Sequence, residues 1–275
     1  MTGNGSGARA IRIASFGQVL FAVSMIALGI MGLIRGNFVP IWTGVPKAFP
    51  ARVLLAYLCA VISLGSGVGL LWSRAAGFAA RALLAYLVAW MLLFRVPLIV
   101  RSPASNGAWW VCGETAAMIA GAWVLAIRFA GDRGSQGPGF VVGAKALAIA
   151  RGLYGFGLIM FGVAHFTFLE RTVSMVPSWL PWHLGWAYFT GGALIAAGLA
   201  TGIGVWARLA AILSAWELSL FTLLVWVPLI VVGPDADQID EFVDSCALTA
   251  VAWLVAESYR SGPLLRPRTT PHPPS

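Results

Sequence analysis

Charge is what this chain has least of. Its 275 residues include 18 Lys and Arg and 10 Asp and Glu, or 10% charged. A soluble domain carries about 25%. A soluble fold of this length would have almost nothing to cover its surface with. That excludes a soluble enzyme, a disordered protein and a nucleic-acid binder. The formal net charge of +8 does not bring nucleic acid back. The basic residues are scattered between apolar stretches, as in a chain that straddles a membrane.

Histidine and cysteine are scarce too, with three of each. Haem held between helices needs two histidines at matching depth. Only His165 falls in an apolar stretch, with His183 in a loop and His272 in the tail. Cys59, Cys112 and Cys246 are isolated and form no C-x-x-C pair, so they read as small buried hydrophobes. No phosphate-binding glycine loop and no metal-ligand spacing occurs. Glycines such as Gly65, Gly67 and Gly69 sit where helices pack closely.

What the chain has is apolar length, at 59% hydrophobic residues. A bilayer core takes about 20 apolar residues per helix. Eight stretches meet that length: 11–34, 51–72, 75–100, 108–130, 143–167, 184–206, 207–232 and 240–258. Backbone amides in lipid must be satisfied internally, so these are helices; a barrel would show short alternating strands. Arg9 and Arg12 precede the first stretch as in a signal peptide, but the run is long and no small-residue cleavage site follows.

Of the 18 Lys and Arg, 12 fall on the side of the N-terminus and 6 on the other. The bias predicts an inner-membrane protein with both termini cytoplasmic. The acidic loop of Asp235, Asp237, Asp240 and Glu241 then faces out. Residues 1–10 and the Pro-rich tail 261–275 are expected to be disordered.

The sequence also repeats. LLFRVPLIV at 92–100 returns as LLVWVPLIV at 223–231, identical at seven of nine positions and offset by 131. The same offset pairs Val45 with Val176, Pro46 with Pro177, Pro50 with Pro181, Tyr57 with Tyr188 and Gly67 with Gly198. An offset of 130 pairs Glu114 with Asp244 and Trp123 with Trp253. Shared composition would match Leu and Val, but not prolines, tyrosines and acids. Four helices per unit is an even number, so both copies enter the membrane in one direction. The expected fold is an all-α membrane protein of eight transmembrane helices. They form two tandem four-helix bundles, 11–130 and 143–260, side by side and joined by a Gly-rich cytoplasmic linker at 131–142.

Ionisable groups inside a membrane are expensive and mark function or pairing. Arg95 and Glu114 lie about 9 and 10 Å deep from one face, and a structural ion pair is expected. Glu217 lies about 14 Å from the other face and Arg151 about 9 Å. They are expected to pair as well, with a proton-carrying Glu217 as the functional alternative. His165, near the outer end of its helix, shares a side with Asp244, Glu170 and His183. This is either a small polar pocket, for a quinone headgroup or a metal, or an interfacial histidine bonded to a carbonyl. The loop MVPSWLPWHLGW, 175–186, carries Pro177, Trp179, Pro181, Trp182 and Trp186. It should lie at the headgroup level over the bundle mouth, as a lid or an anchor.

The second half resembles the DoxX family of small four-helix bacterial membrane proteins. The matching parts run from Arg151 through GLYGFGLIMFGVAHF, which includes His165. They continue with MVPSWLP at 175–181, Tyr188 with Gly191, GL at 198–199 and Arg208-Leu-Ala-Ala. The match covers about 150–232; the first half is a fainter copy that keeps VPKAFP at 45–50 and Tyr57. Similar proteins often carry a glutamate where Leu194 stands here, and Glu217 on the neighbouring helix is the candidate substitute. The resemblance implies an accessory subunit of a membrane redox or quinone-linked assembly, with no cofactor of its own, contact with quinone left open, and redox partner proteins. The residues leave a second reading, a transporter or lipid-binding protein with an intramembrane cavity in each bundle. Its ligand-binding candidates are Arg151, His165, Tyr188, Glu217 and Asp244. An enzyme acting on lipid ranks last, because the acids form no convincing pair.

Overall fold

The computed structural model of the chain describes residues 14–131 and 142–260. The segments 1–10 and 261–275 and most of the linker 131–142 lie outside the described residues. Among those described there is no strand. Eight long helices follow one another: α1 Phe16–Arg35, α2 Arg52–Leu71, α3 Ala76–Arg101, α4 Asn106–Gly131, α5 Ala144–Thr167, α6 His183–Ile203, α7 Ala207–Val232 and α8 Ala236–Glu257.

Seven of these, α1 to α7, are long and apolar enough to cross a membrane. The chain is a multi-pass membrane protein by that measure. The eighth expected span, α8, has the length, at 22 residues, but not the composition. Asp237, Asp240, Glu241 and Asp244 fall in its first three turns. Two of them pair with basic neighbours. Asp240 pairs with Arg35 at 2.5 Å and Glu241 with Arg171 at 2.9 Å. At the opposite end Glu257 pairs with Arg128 at 3.6 Å. Asp235 opens α8 with a capping box closed by Gln238.

Helices α3 and α7 each contain one π-helical turn, Met91–Arg95 and Thr222–Trp226. Proline is the cause. Pro97 and Pro228 have no N–H to give the carbonyl four residues back, and their rings crowd that carbonyl. The helix widens instead, so that Val96 N–H reaches Met91 O and Val227 N–H reaches Thr222 O. The widened turn rotates Arg95 into the core, where it is fully buried.

The two quartets of helices do not close as separate side-by-side bundles. Helix α1 lies chiefly against α2 and α8, and α5 chiefly against α4 and α6, while α4 and α8 meet in the middle. Small residues allow this. A Cβ on Gly17 would stand 2.9 Å from Leu254 N of α8. A Cβ on Gly157 would stand 2.8 Å from Gly113 O of α4.

Equivalent contacts recur in the two halves. A Cβ on Gly67 would meet Ala22 O at 2.6 Å and Ile26 Cγ1 at 2.7 Å. One on Gly198 would meet Gly155 O at 2.5 Å and Ile159 Cγ1 at 2.7 Å. Ala51 and Trp182 each precede a helix with φ of 54° and 61°, a left-handed conformation rare outside glycine.

The halves differ in what fills them. In the first, the short helix Pro40–Trp42 folds inward, and Val39, Ile41 and Trp42 are all but inaccessible. The Trp42 indole N–H donates to Ser63 Oγ at 2.8 Å, and its ring meets Tyr86 and Trp90 edge-on at 5.1 and 5.2 Å. In the second half the corresponding loop, with the short helix Leu169–Met175, stays outside, leaving Trp179 and Trp182 69% and 86% exposed.

Candidate functional site: a cavity in the second half

Beneath that outer loop lies a cavity of about 660 Å³. Its wall comes from α5, α6, α7, α8 and the loop of Val176, Pro177, Trp179 and Leu180. Helical spacing explains the lining. Glu217, Phe221 and Leu224 share one face of α7, and Glu241, Asp244, Ser245 and Leu248 one face of α8. Most of the wall is apolar and aromatic, as small-molecule sites generally are.

The polar groups descend as a ladder. Arg171 and Glu241, paired, form the rim. His165 comes next. Its Nδ1 bonds Phe161 O at 2.8 Å, and its ring stacks on Phe221 with centroids 5.8 Å apart. A carbonyl only accepts, so a proton sits on Nδ1, and in a neutral ring Nε2 is left as an acceptor. Below lie Asp244, with Oδ1 buried and unpartnered, and Glu217, with Oε1 in the same condition. Thr222 Oγ1 and Ser245 Oγ satisfy each other at 2.7 Å.

The cavity therefore gathers His165, Glu217 and Asp244, with Pro177 and Trp179 above them. Arg151 and Tyr188 are not in its wall. The expected Arg151–Glu217 pair does not form. Arg151 donates through Nε to Ser258 Oγ at 3.0 Å and through a terminal nitrogen to Ser258 O, and its guanidinium covers the Tyr259 ring at 3.6 Å. It ties α5 to the end of α8. Tyr188 is 48% exposed and its ring meets Phe166 at 5.7 Å. Pro181 and Glu170 are exposed and His183 is half-buried, and all three lie outside the wall.

The expected direct Arg95–Glu114 pair is not at contact distance either. Arg95 donates Nε to Thr115 Oγ1 at 2.9 Å, and its two terminal nitrogens to Thr43 Oγ1 at 3.2 Å and Ile41 O at 3.1 Å. Hydroxyls and a carbonyl took the place assigned to a carboxylate. Glu114 Oε1 is buried without a partner.

Sequence reasoning missed the aromatic part of the wall, including Trp110, Phe161, Trp216 and Trp226. Nothing in their spacing separates a cavity from a filled core. The Glu241–Asp244–Ser245 face of α8 was readable, since three polar residues stand at helical spacing. Among the described residues no group of three or more His, Cys, Asp or Glu is placed to hold a metal. No family model, no curated protein and no solved structure matches the chain.

Proposed function

We propose that the chain is an eight-pass inner-membrane protein, DoxX-like and built by duplication, that binds a small amphipathic molecule in the cavity of its second half. The observation that carries the reading is the cavity of about 660 Å³, with two buried carboxylate oxygens, Glu217 Oε1 and Asp244 Oδ1, that no protein group satisfies. Native proteins leave few such groups. A ligand would supply what the protein does not.

Duplication is supported by features that composition does not produce. The π turns Met91–Arg95 and Thr222–Trp226, and the left-handed residues Ala51 and Trp182, both stand 131 residues apart. Helix contacts match as well: α4 on α5 answers α8 on α1, and α3 on α4 answers α7 on α8. The pattern fits a pseudo-twofold axis along the membrane normal, with Glu114 and Asp244 beside it. Crossing by α8 is supported by its length and by ion pairs at both its ends. Cytoplasmic termini are supported by the 12 to 6 distribution of basic residues. The accessory redox reading has only the family resemblance behind it.

Purification in lipid nanodiscs tests the function. Mass spectrometry of the small molecules retained by the wild type should show a species that Ala193→Trp, which fills the cavity, no longer holds. Equal contents in both proteins would overturn the reading.

A further inference from the structure

We propose that the molecule taken up by this cavity is a lipophilic amine, bound as its ammonium ion between Glu217, Asp244 and His165. The inference rests on the cavity being a binding site and names the chemistry of what it binds.

Three features lead to it. The first is the sign of the unsatisfied groups. Glu217 Oε1 and Asp244 Oδ1 are acceptors when ionised, and Nε2 of the neutral His165 ring is a third. An ammonium group carries three donors and no acceptor. To the ionised pair a carbonyl-bearing headgroup would present acceptors to acceptors; it would need a protonated carboxyl to donate to it.

The second is the charge balance. Among the described residues Arg171 is the one Lys or Arg in the wall, and Glu241 already holds it at 2.9 Å. The Arg95 donors go to Thr115, Thr43 and Ile41 and not to a carboxylate. Glu217 and Asp244 thus make no ion pair among the described residues, and their charges when ionised outweigh what the wall supplies. A cationic ligand removes part of that imbalance, in surroundings where an unpaired charge is expensive.

The third is the route and the body. Phe189, Leu213, Trp216 and Leu220 belong to the wall and are at the same time large exposed apolar side chains. The cavity is therefore reached from the bilayer between α6 and α7, which favours a ligand that partitions into lipid. Aromatic rings along the wall, Trp216 and Phe221 among them, suit an apolar body and attract a cation at their faces.

The test uses three probes with one body: 1-aminoadamantane, 1-adamantanol and adamantane-1-carboxylate. Binding to the full-length protein in nanodiscs is followed by tryptophan fluorescence, against empty nanodiscs. The amine should bind about tenfold or more tightly than the alcohol, and the carboxylate least, as charge-assisted hydrogen bonds would give. Glu217→Gln and Asp244→Asn should each weaken amine binding several-fold more than alcohol binding and so remove most of that preference. Their thermal unfolding midpoints show whether they fold. If the alcohol binds as well as the amine, the cation assignment fails while the cavity remains a binding site. If no probe binds, and Ala193→Trp changes nothing that the protein retains, both fail.

Discussion

Trp42 closes the first half of the molecule against Ser63, its indole N–H 2.8 Å from the hydroxyl and both residues inaccessible. Offset by 131, Leu194 stands in place of Ser63, Glu217 in place of Tyr86 and Phe221 in place of Trp90. One half has a plug and the other an open space. Trp42→Ala should leave a void and an unpaired hydroxyl, destabilising the protein by about 3–5 kcal/mol. Thermal unfolding in detergent checks this; an unchanged midpoint would show that the plug does not hold the first half together.

Arg95 should be irreplaceable by lysine. Its three donating nitrogens serve three separate acceptors, on α4 and on the 41–43 segment. A single ammonium on a different stem does not reproduce that fork. Arg95→Ala should cost about 3–5 kcal/mol, since buried partners are left unpaired, and Arg95→Lys should recover little of it. Full recovery by lysine, read as unfolding midpoint, would mean that charge alone is what the site requires.

Ala51 stands at φ 54° in an exposed position before α2. A left-handed residue with a Cβ costs roughly 1–2 kcal/mol, and glycine escapes that penalty. Ala51→Gly should therefore raise the unfolding midpoint, against the usual effect of adding glycine. A lower midpoint would contradict the strain.

How much of this was readable in advance follows the kind of force involved. Apolar runs fixed the helices to within a few residues, because every backbone amide in lipid must bond within its own helix. The π turns before Pro97 and Pro228 were not read from the sequence, which treated both stretches as uninterrupted helices. Arg95 and Arg151 were rightly located on their helices and wrongly partnered. Carboxylates stand out in an apolar sequence, whereas Thr115, Ile41 O and Ser258 do not. A cavity with His165, Glu217 and Asp244 among its candidates was one reading of the sequence; that the first half is filled instead was not legible. Trp42 turns inward and Trp179 stays outside, although both sit in aromatic, proline-containing loops of similar composition.

Topology offers an independent check on α8. Reporter tags inserted at 233–235 and after residue 260 should lie on opposite faces of the membrane, and a tag at 131–139 on the same face as the one after 260. A shared face for the 233–235 tag and the one after 260 would mean that the chain crosses seven times.

The most direct test of the account compares two cysteines in a background with Cys59, Cys112 and Cys246 replaced by alanine. Thr190→Cys lies in the cavity wall and Ser63→Cys behind the Trp42 plug. A small neutral thiol reagent, methyl methanethiosulfonate, should modify the first in the folded protein and spare the second, and adding Ala193→Trp should protect the first. Equal reactivity of the two, or silence from both until the protein is unfolded, would contradict an open site in the second half.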